Sequence, residues 1–345
     1  MIQAIDVERD SDERLHLFEP APRAETNGLA AAVRQGLRAP GKHLPCRYLY
    51  DATGSALFEA ICDQPEYYVT RAELQALRTN AEAIAERAGA PPLLVELGSG
   101  SAKKSRLLVD ALLARRPSLR YVPIDISRSI LVDSAHELLA EYPRLQITAL
   151  AVEYALGLRW LRRGLDRPAL MAWLGSNLGN LTRREAARFL GRLGRLLHAG
   201  SRLLVGIDLR KSRVELERAY ADAAGVTARF NLNLLARINR ELGGHFELAR
   251  FHHLARYDER AGRVDLHLVS ERRQRVRIDA LGLDVAFEAG ERIHTESSYK
   301  YSPAEISLLA RAAGLTVETS WLDESGRFQL VLFGRPRDDA PAAMR

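Results

Sequence analysis

Leu93-Leu-Val-Glu-Leu-Gly-Ser-Gly-Ser-Ala-Lys-Lys-Ser105 joins two apolar patterns of different period through a pair of glycines. Before the glycines, Leu93, Leu94, Val95 and Leu97 form a short apolar run, the pattern of a buried strand. After them, Leu107, Leu108, Ala111 and Leu112 recur at helical spacing. Gly98 and Gly100 let the backbone bend sharply and approach a ligand with no Cβ in the way. The helix that follows presents its free N–H groups to that ligand. Strand, glycine turn and helix in this order place a nucleotide or cofactor at the carboxyl edge of a parallel sheet.

The residues of the turn narrow the ligand. A phosphate-binding loop needs Gly-x4-Gly-Lys-Ser/Thr, and Lys103 stands where its second glycine belongs. A dinucleotide fingerprint needs a small third residue so that helix and strand pack closely, and Lys103 stands there too. S-adenosylmethionine sites use an acid-Leu-Gly-x-Gly turn with no pyrophosphate to cradle, and Glu96-Leu-Gly-Ser-Gly100 has that form. A glycine turn without a ligand is the plain alternative. Leu119-Arg-Tyr-Val-Pro-Ile-Asp125 reads as the next strand, with Asp125 at the end where a carboxylate accepts both ribose hydroxyls. The same Asp could instead cap the next helix. A third strand, 146–152, delivers Glu153 and Tyr154 to that edge, an acid and a ring for adenine.

Composition sets bounds. The chain has 345 residues, 47% of them hydrophobic and 27% charged, enough to bury a core in one large or two medium domains. No apolar run approaches the roughly 20 residues that span a bilayer. The start, Met-Ile-Gln-Ala-Ile-Asp-Val-Glu-Arg-Asp, is acidic where a signal peptide would be basic and then apolar. A cytoplasmic protein with no membrane partner is expected. The two cysteines, Cys46 and Cys62, do not make a disulfide framework and read as inert thiols. The net charge of +6 raises nucleic acid as a partner. The arginines, however, are spread along helices, and only Glu271-Arg-Arg-Gln-Arg-Val-Arg277 is a dense basic run, with no nucleic-acid module around it. No nucleic-acid partner is expected.

Helix starts are legible along the chain. Thr70-Arg-Ala-Glu73, Thr182-Arg-Arg-Glu185 and Ser302-Pro-Ala-Glu305 all read as capping boxes, the last with Pro at the first helical position. Gly89 and Gly314 fit the ends of the first and last of these helices. The intervening order is strand 93–97, helix 103–115, strand 119–125, helix 128–141, strands 146–152 and 169–175, helix 182–198 and strand 201–208. Two further strands, 316–322 and 328–334, close the order as a hairpin. The expected fold class is therefore α/β: a Rossmann-like class I methyltransferase sheet with a closing antiparallel hairpin. Residues 211–245 read as helical and 263–277 as a strand. With residues 1–67 they form a second domain inserted before the last helix. The expected division is 1–67 with 210–299 for substrate, 68–209 with 300–336 for cofactor, and a frayed tail at 337–345.

Several segments together resemble the S-adenosylmethionine-dependent histidine Nα-methyltransferases of ergothioneine biosynthesis. They are Arg47-Tyr-Leu-Tyr-Asp-Ala-Thr-Gly-Ser-Ala-Leu-Phe58, Pro65-Glu-Tyr-Tyr68, Glu96-Leu-Gly-Ser-Gly100, Pro123-Ile-Asp-Ile-Ser127 and Gly175-Ser-Asn-Leu-Gly-Asn180. Arg218-Ala-Tyr-Ala-Asp-Ala-Ala-Gly-Val-Thr227, Asn239-Arg-Glu-Leu242 and His294-Thr-Glu-Ser-Ser-Tyr-Lys300 complete the set. The glycine turn is common to many methyltransferases, whereas the Tyr-Asp-x-x-Gly-Ser, Pro-Glu-Tyr-Tyr and Thr-Glu-x-Ser elements are far more specific. The resemblance implies a cofactor site at Gly98, Lys104, Asp125, Glu153 and Tyr154, with Glu153 where Asp is expected. It implies L-histidine as substrate, at Tyr50, Tyr67, Gly175, Asn180, Tyr220, Leu266, Glu296 and Ser298, with Leu266 where Met is expected beside the imidazole.

The residue chemistry agrees with these assignments. The Asn180 amide follows the fourth strand and can accept from an α-amine while donating to a carboxylate. Tyr220 can donate to the same carboxylate. Glu296 and Ser298, two apart, share a face if extended and could grip both imidazole nitrogens. Bland alternatives are a cap on the following turn for Asn180, packing for Tyr220 and a surface ion pair for Glu296. His252, His253, His267 and His294 lack ligand spacing with either cysteine, so no metal is expected. The implied reaction is in-line attack of a neutral amine on the sulfonium methyl, with Asn180 orienting the amine and Tyr50 as candidate proton acceptor. Three rounds would give the betaine hercynine. Rival readings are a methyltransferase for another aromatic amino acid such as tryptophan, a nucleic-acid methyltransferase, and a non-catalytic cofactor module. A monomer is expected.

Overall fold

The computed structural model describes residues 12–19, 23–165 and 167–336. The tail 337–345, expected to fray, lies outside the described residues. In order come β1 (Leu15–Phe18), α1 (Arg23–Arg38), α2 (Ala52–Cys62), α3 (Tyr68–Arg87), β2 (Leu93–Leu97) and α4 (Ser105–Leu113). Then follow β3 (Leu119–Asp125), α5 (Arg128–Glu141), β4 (Leu145–Ala151), α6 (Tyr154–Gly164), β5 (Ala169–Trp173), α7 (Arg183–Gly194) and β6 (Arg202–Asp208). After α8 (Arg213–Ala219) and α9 (Val226–Leu242) run β7 (Phe251–Asp258), β8 (Arg263–Ser270), β9 (Gln274–Ile278), β10 (Leu283–Phe287) and β11 (Arg292–Tyr299). The described chain closes with α10 (Pro303–Ala312), β12 (Thr316–Leu322) and β13 (Phe328–Gly334).

These elements fall into two compact units. Among the described residues, one comprises 12–19, Val69–Arg210 and 300–336; the other comprises 23–68 and Lys211–Tyr299. The first unit holds one eight-stranded sheet in the order β1-β4-β3-β2-β5-β6-β13-β12. The six strands from β1 to β6 are parallel, and β13 and β12 close the sheet antiparallel. Every residue of β2 and β5 is buried, as continuous apolar strands covered on both faces require. The chain builds outward from β2 to β4 and then returns to β5. The order therefore reverses between β2 and β5, and the crevice at their carboxyl ends is where such sheets bind ligands.

Several expectations change. Residues 1–67 do not stay together: Leu15–Phe18 pairs in parallel with Ile147–Leu150 and becomes the sheet's edge. Arg14 holds that strand in place by donating to Leu139 O, a last-turn carbonyl of α5, and to Tyr142 O just beyond it. The Thr70–Glu73 capping box does not form, because α3 starts at Tyr68 and Glu73 turns inward, 0% exposed. The boxes at Thr182 and Ser302 do form. The strand expected over 169–175 stops at Trp173, because Gly175 (φ 74°) and Ser176 (φ 55°) turn left-handed. The single strand expected over 263–277 is two strands of different sheets, β8 and β9.

The second unit carries a three-stranded antiparallel sheet, β11-β8-β7, and a β9/β10 hairpin. The helical stretch expected over 211–245 breaks into α8 and α9 at Tyr220–Gly225, where Gly225 has φ 67°. Phe230, Leu234 and Ile238 bury one face of α9 at helical spacing. The basic run at 271–277 is largely matched: Arg272, Arg273 and Arg277 face Glu247, Glu288 and Asp279. No helix among the described residues is long and apolar enough to cross a membrane.

Candidate active site

The glycine turn after β2 is built as a cradle. Gly98 and Gly100 have φ 71° and 52°, and Ala102 follows at 55°. A Cβ at Gly98 would lie 2.5 Å from the Tyr154 hydroxyl and 3.0 Å from Asn177 Nδ2, so only glycine fits. Trp173 and Phe189 orient the Tyr154 ring at centroid distances of 6.1 and 5.8 Å. Asp125 ends β3, where its two oxygens accept from Gly100 N and Ser127 N, each at 2.9 Å. Its carboxylate is thereby fixed beside the turn, and burial raises its pKa despite those N–H groups. Glu153 is the exposed N-cap position of α6 and makes no capping bond. Glu96, the acid of the turn motif, is buried and accepts from Ser105 and Tyr121. Burial pushes its carboxyl up to about 7.

The turn after β5 lies at the same sheet edge. Gly175 N–H reaches both oxygens of Glu73, at 2.8 and 2.9 Å, and Lys104 Nζ lies 2.8 Å from Glu73 Oε2. Sequence reasoning cast Glu73 as a helix cap and missed this role. Ser176 Oγ accepts from Asp208 N at 3.2 Å, and Asn177 Nδ2 donates to Leu174 O at 2.8 Å. Asp208 is itself paired with Lys300 at 2.7 Å, both side chains fully buried. Asn180 closes the 3-10 turn Asn177–Asn180 and is half-buried. Thr182, not Asn180, caps α7, and the Asn180 amide bonds no described residue. The alternative in which the Asn180 side chain caps the following turn therefore falls.

The second unit contains a pocket lined by Tyr50, Phe58, Ile61, Tyr67, Ala219, Tyr220, Thr227, Phe230, Leu266 and Glu296. Its walls are aromatic and mostly edge-on: Tyr50 meets Phe58 at 5.6 Å and Phe230 at 5.4 Å, and Tyr67 meets Tyr220 at 5.9 Å. Burial pushes the Tyr67 hydroxyl well above its usual range, so it remains a donor. Glu296 sits where β11 shifts register and pairs with Leu266 of β8, which places a buried carboxylate opposite an aliphatic chain. The surface-ion-pair alternative for Glu296 does not hold. Ser298 is not among the lining residues; its Oγ lies 2.9 Å from the Tyr220 hydroxyl behind the wall. Phe58, Thr227 and Phe230 are lining residues that the sequence reading did not single out, although Phe58 and Thr227 close two of its quoted motifs.

His253 is engaged with Tyr220 O at 2.8 Å and Asn231 at 2.9 Å, and burial lowers its pKa. No group of three His, Cys, Asp or Glu side chains among the described residues is placed to hold a metal. Burial, with the charge of Glu296, pushes the Cys46 thiol up to about 12, too high for a nucleophile.

Residues 29–335 match the family model of histidine-specific, S-adenosylmethionine-dependent methyltransferases. The chain belongs to this family. It is 43% identical over 317 residues to the histidine N-alpha-methyltransferase of Mycobacterium tuberculosis, covering 92% of this chain and 97% of that one. It is 41% identical to that of Mycolicibacterium smegmatis, over 90% of this chain and 96% of the relative. Among solved structures, the CcbJ methyltransferase of Streptomyces caelestis aligns with a TM-score of 0.42 at 17% identity, over 75% of this chain and 90% of that one. The cofactor of this methyltransferase is S-adenosylmethionine. The glycine cradle, the strand-end Asp125 and Tyr154 suit its turn, ribose and adenine.

Proposed function

We propose that the protein transfers methyl groups from S-adenosylmethionine to the α-amine of L-histidine, three in succession, giving hercynine in ergothioneine biosynthesis. The observation that carries this reading is the buried Glu296 carboxylate in an aromatic cavity. An imidazole N–H can donate to that carboxylate, whereas the carbocycle of an indole offers it no donor.

The bound cofactor supplies an already activated electrophilic methyl, so no nucleophilic side chain is required. The protein binds, orients and manages protons. Gly98, Asp125, Glu153, Tyr154 and Lys104 hold the cofactor. The uncommitted amide of Asn180 accepts from the α-amine and donates to the α-carboxylate. Tyr220 donates to that carboxylate. Tyr67, kept protonated, is a donor in the cavity wall. Tyr50 is left as the acceptor for the proton the amine sheds each round. Ser298 acts through Tyr220. The unit that holds the eight-stranded sheet serves the cofactor, and the other serves the amino acid. Two cysteines outside any disulfide fit a reducing cytoplasm, and a monomer is the proposed working form.

The test is direct. The protein is incubated with S-adenosylmethionine and a panel of amino acids including tryptophan, and the products are weighed. Mono-, di- and trimethylhistidine appearing in sequence support the reading. A monomethyl product alone overturns the threefold transfer, and tryptophan turning over in preference to histidine overturns the substrate.

A further inference from the structure

Glu73 belongs to no motif quoted for the family, yet it lies at the centre of the cofactor half. It projects from α3, is fully buried, and accepts from Lys104 Nζ and from Gly175 N–H. All these contacts come from donors, which suits an acceptor-only carboxylate. Two glycines make its place. A Cβ at Gly206 in β6 would lie 2.0 Å from Glu73 Oε1, and a Cβ at Gly175 would lie 3.2 Å from Lys104 Nζ. One carboxylate thus links the start of α4, behind the glycine turn, to the turn that carries Asn180.

The charges add a second role. The methyl donor carries a positive sulfonium, whereas the product, S-adenosylhomocysteine, carries a neutral thioether. A bare Lys104 ammonium beside the donor would disfavour the charged ligand in a low-dielectric crevice. Glu73, 2.8 Å from Lys104 Nζ, offsets that positive charge.

We propose that Glu73 is a positioning residue of the methyl-transfer site: it fixes Lys104 and the Gly175–Asn180 turn in register and cancels the Lys104 charge against the cationic donor. The proposal rests on the reading of Lys104 as a cofactor contact and Asn180 as a substrate contact.

The test compares calorimetric affinities for S-adenosylmethionine and S-adenosylhomocysteine in the full-length protein. Glu73→Gln keeps the side chain's shape and removes its charge. Affinity for the sulfonium form should fall about tenfold more than affinity for the thioether form, and kcat should fall with little change in KM for histidine. Lys104→Met should move the same ratio the other way, because it leaves the Glu73 charge unopposed, and it tests the idea even if Glu73→Gln folds poorly. The double variant should return the ratio to that of the wild type. Ratios unchanged within twofold in both single variants would overturn the proposal, as would equal losses of both ligands accompanied by a lowered Tm. A wild-type protein that binds neither ligand would sink the cofactor reading and this proposal with it.

Discussion

The Tyr220 hydroxyl lies 2.9 Å from Ser298 Oγ, so the end of α8 and the strand β11 share one buried hydroxyl pair. Tyr220 lines the cavity and Ser298 does not. Removing the serine hydroxyl by Ser298→Ala therefore leaves the wall intact but takes one hydrogen-bond partner from the Tyr220 hydroxyl. One lost hydrogen bond of about 1 kcal/mol corresponds to roughly a fivefold change. The expected outcome is a rise of that order in KM for histidine, with cofactor affinity untouched. Steady-state kinetics with calorimetry checks it, and an unchanged KM would show that the hydroxyl pair does not support the substrate wall.

Gly98→Ala should damage the cofactor site twice over. The residue has φ 71°, and a Cβ there meets the Tyr154 hydroxyl at 2.5 Å. A left-handed alanine costs about 1 kcal/mol or more, and the clash adds to it. S-adenosylhomocysteine affinity is expected to fall by at least about tenfold. Adding Tyr154→Phe removes the clashing oxygen and should recover part of the loss. No recovery would mean that the backbone conformation alone sets the requirement for glycine.

The stability of the first unit should carry an inverted carboxylate signature. Burial holds the Glu96 carboxyl at about 7, against hydrogen bonds from Ser105 and Tyr121 and the charge of Lys104. Its folded-state value lies above its unfolded one, so the folded state binds more protons between about 4.5 and 7. The penalty for ionising Glu96 is absent below that window and complete above it, and stability from this group falls as pH rises. At 1.36 kcal/mol per unit, the loss is about 3 kcal/mol. Glu96→Gln removes the titration. Between pH 5 and pH 8 the wild type should lose about 3 kcal/mol more than the variant in urea unfolding. Parallel curves would refute the assignment.

Elements with strong periodicity were legible in the sequence. The glycine turn, the parallel strands and the 316–322/328–334 hairpin all follow from apolar runs and breakers that act locally. Expectations failed where distant partners decide the outcome. Leu15–Phe18 is too short to declare itself, and it forms because β4 would otherwise leave its backbone edge unpaired. Thr70 and Glu73 have the spacing of a cap, but Lys104 and Gly175, far along the chain, claim the carboxylate. The helix α6 was missed because Gly157 and Gly164 weaken the pattern. Gly157 is there for packing: a Cβ would lie 2.9 Å from Ile124 Cγ2, so the glycine lets the helix approach β3. In the candidate site, Gly98 and Gly175 lie on left-handed turns and Leu266 and Glu296 on paired strands. Ser298 stands behind the wall rather than in it because Tyr220 takes its hydroxyl.

Asp51 should be worth more than an ordinary helix cap, because three donors converge on it. Its carboxylate accepts from Gly54 N and Asn233 Nδ2, each at 2.8 Å, and pairs with Arg240. Gly54 in turn cannot be replaced, since a Cβ there would lie 1.7 Å from Leu49 O. Burial works against the Asp51 charge, yet the Gly54 N–H, the Asn233 amide and Arg240 together hold its pKa below the usual range. A depressed carboxyl contributes stability above its unfolded pKa and loses it as pH falls through the folded one. Asp51→Ala removes the cap and leaves the Asn233 amide without this partner. The expected cost is about 2 kcal/mol near neutral pH, vanishing under acid. Asp51→Asn retains a capping oxygen and should cost about half as much. Because Tyr50 immediately precedes this cap, Asp51→Ala should also lower kcat more than Asp51→Asn does. Urea unfolding at pH 7 and pH 3, with kinetics at neutral pH, checks both effects. Equal stability of the two variants at pH 7 would mean that the cap contributes nothing beyond the charge.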